Sequence, residues 1–241
     1  MLKRLLALAL LAPILALAAD PPVKLTTENI IKRTLEGRLS GVKVDTVTKT
    51  PYLGLYEVRV GSEILYTDDK MNYIFSGNII DGKSMQNLTE KRIRELTAIK
   101  WNDLPLGSAF KTVRGNGKRQ LAIFSDPNCP YCKHLEQELA KVDDITIYTF
   151  LFPILSQDSQ VKAKAIWCSA DKSKAWSELM LNGKVPAAAP ANCDTPIEKN
   201  LQFGSKYHFN STPTLVFASG ERVTGARPAE DLEKMLAQSG K

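Results

Sequence analysis

No cysteine stands before Cys129 in this 241-residue chain. The first half therefore contains no disulfide of its own and must be held by packing or by association. Histidine is nearly as scarce: His134 and His208 are isolated from each other, which argues against a metal centre. Aromatic residues make up only 7% of the chain, with no aromatic-rich RNA-binding signature, and no phosphate-cradling glycine loop is present. The formal charge of +6 comes from lysines and arginines dispersed among acids, the pattern of a solvated surface rather than a nucleic-acid footprint. Internal repeats and low-complexity segments are absent.

The longest apolar run, Leu5 to Leu17, is too short for a comfortable membrane span. Lys3 and Arg4 precede it, Ala16-Leu17-Ala18 closes it, and Asp20-Pro21-Pro22 follows, so residues 1–18 read as a secretory signal. Without Lys3 and Arg4 the charge is +4. The mature chain of about 220 residues suits two domains.

Thr26 to Leu39 has a helical apolar stripe at Ile31, Leu35 and Leu39, stopped by Gly41. Strand patterns follow at Val42–Val47, Tyr52–Val60, Glu63–Thr67 and Tyr73–Phe75, punctuated by Gly61-Ser62, Asp68-Asp69 and Gly77-Asn78. This predicts an antiparallel meander beside one helix over residues 19–85. A unit of that size buries little surface alone, and the Tyr52–Val60 strand is expected to leave an edge for a second copy. Asn87 to Trp101 reads as a charged helix with a sparse apolar stripe, a linker over residues 86–103. From residue 104 to 241 the expected order is two strands, a helix at Cys129, a strand, helices from Ser156 to Leu181 interrupted near Asp171, a helix from Thr195-Pro196, a strand at Leu215, a hairpin and a final helix from Pro228.

The most informative segment is Cys129-Pro130-Tyr131-Cys132, placed between an apolar strand (Leu121 to Phe124) and a helix. A helix start presents unpaired N–H groups and the positive end of the macrodipole, which together stabilise a thiolate at Cys129. Pro130 suits the first helical position, and Cys132 follows one turn deeper, within reach for a disulfide. Zinc is disfavoured because Cys168 and Cys193 lack the paired spacing a second half-site needs. His134 lies about 140° around the helix from Cys129 and faces away from it. Far downstream, Ser211-Thr212-Pro213-Thr214 immediately precedes the strand Leu215-Val216-Phe217.

In this order the chain resembles the thioredoxin-fold thiol oxidoreductases. It is more closely similar to the DsbC/DsbG family of periplasmic proteins, on Phe124-Ser125-Asp126-Pro127-Asn128-Cys129-Pro130-Tyr131-Cys132, Lys164-Ala165-Ile166-Trp167-Cys168, Cys193-Asp194 and Thr212-Pro213. The resemblance implies an α+β protein: a cystatin-like N-terminal dimerisation domain, a linker helix and a C-terminal thioredoxin fold with a helical insertion. It also implies a periplasmic homodimer with no cofactor or metal. Its activity would be to rearrange wrong disulfides in exported proteins, with chaperone action on unfolded chains. The membrane reductase DsbD would supply electrons. Cys129 and Cys132 are then the redox pair, and Thr212-Pro213 carries a cis proline whose neighbouring backbone groups stay open to substrate. The Thr212 hydroxyl is placed to reach a Cys129 thiolate, and Tyr131 presents an exposed ring. Cys168 and Cys193 read as a structural disulfide closing a loop of about 26 residues, worth roughly 3.5 kcal/mol in the chain-entropy treatment. The pair Pro130-Tyr131 departs from the Gly-Tyr usual on the DsbC side and matches the DsbG side, which keeps a reductase of single oxidised cysteines as the rival activity, beside a second rival, a protein that is mainly a dimeric chaperone for unfolded chains.

Overall fold

A computed structural model describes residues 25–239. The secretory pattern at residues 1–18 lies outside them. In the N-terminal unit, α1 (Thr27–Arg38) starts at Thr26, whose hydroxyl accepts the Asn29 N–H. It packs Ile31 and Leu35 against Val44, Tyr56, Val58 and Met71. The sheet is an antiparallel meander of β1 (Thr46–Lys49), β2 (Tyr56–Val60), β3 (Glu63–Thr67) and β4 (Ile74–Ser76), in that spatial order.

Three expectations are corrected here. The strand expected over Tyr52–Val60 begins only at Tyr56, because Leu53 and Gly54 take left-handed φ values of 50° and 71° in a turn closed by Leu55 N–H to Tyr52 O. That strand is also no edge: β2 is paired on both sides, and β1 and β4 are the edges. The strand expected over Val42–Val47 is likewise displaced, with pairing that starts at Thr46 while Val44 is turned into the core.

The linker helix α2 (Leu88–Thr97) is capped by Asn87, whose Oδ1 accepts the Glu90 N–H, and is shorter than its charge pattern predicts. It stops because Ile99 is drawn elsewhere: its N–H donates to Gly220 O at 2.9 Å and its side chain is wholly buried in the C-terminal unit. Arg92 pairs with Glu57 and the Thr89 hydroxyl meets Tyr66 Oη on one side, while Arg94 approaches Glu221 on the other. The helix thus touches both units.

The C-terminal unit is a five-stranded sheet in the order β5-β7-β6-β8-β9, built from β5 (Phe110–Arg114), β6 (Arg119–Ser125), β7 (Ile145–Leu151), β8 (Thr214–Phe217) and β9 (Arg222–Thr224). β6 runs parallel to β7 and antiparallel to β8; the helix between β6 and β7 is α3 (Pro130–Leu139). β6 lies centrally, which explains its unbroken apolar run. On one face, Leu121, Ile123, Leu215 and Phe217 meet Leu135 and Leu139 of α3 and Leu232 and Leu236 of α7 (Ala229–Ser239). On the other, Phe124 stacks on Phe150 at 4.3 Å and meets Phe203 of α6 (Ile197–Lys206) and Phe209. The insertion is α4 (Gln157–Trp167), capped by Ser156, and α5 (Lys172–Asn182), capped by Asp171 at the predicted interruption.

Candidate active site

At the end of β6 the chain must leave a buried strand and start a helix within four residues. Asp126, itself fully buried, organises that turn: its Oδ1 accepts the Asn128 N–H at 2.8 Å, its Oδ2 accepts the Leu155 N–H at 3.0 Å, and its carbonyl accepts the Cys129 N–H. Cys129 is the N-cap of α3 and Pro130 follows at the helix start. Both cysteines are free thiols, Cys129 3% exposed and Cys132 wholly buried, whereas the Tyr131 ring stands 66% exposed beside them.

The loop before β8 closes over this helix end. The Thr212-Pro213 peptide is cis, and Cys129 Sγ donates to Thr212 O at 3.3 Å. The backbone around the proline is less open than expected. Pro213 O already accepts the Gly225 N–H at 2.8 Å, and Thr212 O is occupied by the Cys129 thiol. The Thr212 hydroxyl is buried with no hydrogen-bond partner and lies near enough to Cys129 to help lower its pKa.

These contacts split the two thiols electrostatically. The Cys129 pKa is lowered to about 6, chiefly by the Cys132 thiol donating to its sulfur; burial opposes this, and the Thr212 hydroxyl and the N–H groups of Cys132 and Tyr131 add to it. Cys132 is pushed strongly upward, first by burial and then by the neighbouring Cys129 sulfur. The site therefore holds one thiol that ionises readily above one that stays protonated.

Cys168 and Cys193 are joined as a disulfide. Cys168 caps the C-terminus of α4, and both cysteines are half-buried. His134 is exposed on α3, and His208 is exposed where the chain leaves α6. Three residues of the neighbourhood escape a reading of motifs alone. Asp126 and Asn128 lie inside the quoted segment as turn formers, and the partners of Asp126 Oδ2 and of the Asn128 side chain come from residues 155–162. Glu136 is buried on α3, where Trp176 Nε1 donates to it at 2.8 Å and burial raises its pKa. The available signal is its place one turn after Cys132 on the apolar face.

Comparison with known proteins agrees with this geometry. The family model described as a thioredoxin-like domain matches residues 106–240, and that of the disulfide bond isomerase protein N-terminal domain matches residues 16–90. A probable thiol:disulfide interchange protein DsbC of Bordetella parapertussis is 41% identical over 221 residues, 92% of this chain and 76% of that protein. DsbC of Escherichia coli is 29% identical over 208 residues, covering 83% of this chain and 84% of its own. The crystal structure of a disulfide interchange protein from Neisseria gonorrhoeae superposes with a TM-score of 0.55 at 42% identity, covering 57% of this chain and 99% of that one. The chain belongs to the DsbC family of thiol:disulfide interchange proteins and is a disulfide isomerase with a thioredoxin-fold catalytic unit.

Proposed function

We propose that Cys129 is the nucleophile that rearranges wrong disulfides in exported proteins and that Cys132 is its resolving partner. The observation that carries this is the depressed Cys129 pKa of about 6 beside a buried, protonated Cys132. The Cys129 thiolate attacks one sulfur of a substrate disulfide; that bond breaks, a mixed disulfide forms, and the other substrate sulfur leaves as a thiolate. Turning Cys129 Sγ toward substrate frees Thr212 O to accept an N–H from an extended substrate segment. The released thiolate attacks a different substrate disulfide, and the last thiolate of the cycle attacks the mixed disulfide and restores reduced Cys129. When Cys132 attacks Cys129 Sγ instead, the substrate leaves reduced and the enzyme is oxidised. That branch requires a reductant, and we assign it to the membrane reductase DsbD.

The mature protein acts in the periplasm as a homodimer joined through its N-terminal unit. Support for the dimer lies around edge strand β4, where Leu53, Tyr73 and Phe75 are at least half exposed, an unusual apolar surface for a monomer. Recovery of a scrambled multi-disulfide substrate tests the assignment. Cys129→Ser is expected to abolish recovery, while Cys132→Ser retains shuffling and accumulates mixed disulfide. Recovery that survives Cys129→Ser overturns the nucleophile assignment.

A further inference from the structure

The residue before the nucleophile is tied to the helical insertion by more side-chain bonds than a turn requires. Asn128 Nδ2 lies 2.8 Å from Asp158 Oδ2, 3.1 Å from Ser159 Oγ and 3.3 Å from Ser156 Oγ, and its Oδ1 accepts Lys162 Nζ at 2.8 Å. Lys162 also pairs with Asp158 at 2.7 Å. Ser156 is the N-cap of α4 and Ser159 is fully buried, so this carboxamide is seated on the first turns of one helix. Both ends of its amide are used. Its backbone N–H is held from the other side by Asp126.

A half-buried network of this size contributes only modest stability by itself. What it fixes is the peptide leading into Cys129. The sulfur must meet the Cys132 thiol, the Tyr131 and Cys132 N–H groups and the Thr212 loop at once, and these contacts lose strength steeply with misplacement. Asp126 anchors the backbone of this turn, and the Asn128 side chain anchors it to an element outside the thioredoxin core. The α4 helix is in turn fastened at its far end, where Cys168 is bonded to Cys193.

We propose that Asn128 is a positioning residue for the Cys129 thiolate, acting through α4, with Lys162 holding the carboxamide in place. This rests on the reading of Cys129 as the nucleophile. The titratable groups around the turn are Cys132 and Tyr131 on α3, Asp126 beneath the loop, and Asp158 and Lys162 on α4; Ser211, Thr212 and Pro213 contribute none.

The test is the rate of iodoacetamide alkylation of Cys129 against pH in the reduced full-length mature protein, run beside scrambled-substrate recovery and a thermal melt. Asn128→Ala is expected to move the alkylation midpoint upward, toward that of an ordinary thiol, and to slow recovery roughly tenfold. Lys162→Met, which keeps an apolar stem and removes one donor, is expected to shift the midpoint the same way by less, and to add nothing on the Asn128→Ala background. An unchanged midpoint in both single variants, whatever the melting temperature does, overturns the proposal. Additive shifts in the double variant overturn the route through Asn128. Failure of the underlying reading registers separately, as recovery that survives Cys129→Ser.

Discussion

At the scale of single residues, the chemistry comes from asymmetry between two identical side chains. Cys129 and Cys132 differ by one helical turn, yet the Cys132 thiol donates to the Cys129 sulfur, with the Cys132 and Tyr131 N–H groups adding to it, while Cys132 itself is wholly buried. The asymmetry has a thermodynamic consequence in the reduced protein. With a Cys129 pKa of about 6 in the folded state and about 8.5 in the unfolded chain, the unfolded state binds more protons between those values. Stability conferred by the thiolate is then fully present above about pH 8.5 and is lost as pH falls through about 6. Urea unfolding of the reduced protein at pH 5.5 and at pH 9 is expected to differ by no more than about 3 kcal/mol in favour of the higher pH. Cys129→Ala is expected to remove that difference, and a pH dependence that persists in the variant would assign it to another group.

Among elements, the decisive contact is that of α6 with the sheet. Gly204 on α6 is buried, and a Cβ there would lie 2.4 Å from two ring carbons of Phe152. To yield, the Phe152 ring must push into Phe124 and Phe209, whose rings lie edge-to-face against it at 6.0 Å and 6.2 Å. Glycine inside a helix costs up to about 1 kcal/mol relative to alanine, so this position trades propensity for close approach. Gly204→Ala is expected to destabilise the protein by roughly 1–2 kcal/mol net, because overpacking outweighs the gain in helix propensity. Denaturant midpoints measure it, and a stabilised variant would mean that Phe152 repacks freely. The insertion helices α4 and α5 were legible from Ser156 and Asp171 because capping is local chemistry. The early end of α2 was not, since Ile99 fits a helical apolar stripe equally well and only its pocket in the C-terminal unit removes it from the helix.

For the whole molecule, the question is what covers β4. Ile74 and Phe75 are 47% and 50% exposed on an edge strand, and among the described residues no strand pairs beyond it. A second copy paired about a two-fold axis would satisfy that edge and bury the apolar side chains together. Phe75→Arg is expected to yield a monomer by light scattering that keeps the alkylation profile of Cys129 and loses most scrambled-substrate recovery, because one isolated catalytic unit cannot grip an unfolded chain from two sides. A dimeric Phe75→Arg protein would place the interface elsewhere.

The sequence by itself determined the features that depend on neighbours along the chain. These are the strand-to-helix setting of Cys129-Pro130-Tyr131-Cys132, the caps of α1, α4 and α5, and the apolar run of β6. It also placed Thr212-Pro213 ahead of its strand and, through the family resemblance, paired Cys168 with Cys193. Tertiary structure alone decided the rest. It made β2 a central strand, took Ile99 out of α2, closed Pro213 O with Gly225, and brought Asp158, Ser159 and Lys162 to Asn128 across roughly thirty residues of chain. Capping and turn formation are settled within a few residues, so composition and spacing record them. Strand order, the route of a linker and the partners of a buried side chain depend on which distant surfaces meet, and local pattern carries no record of that.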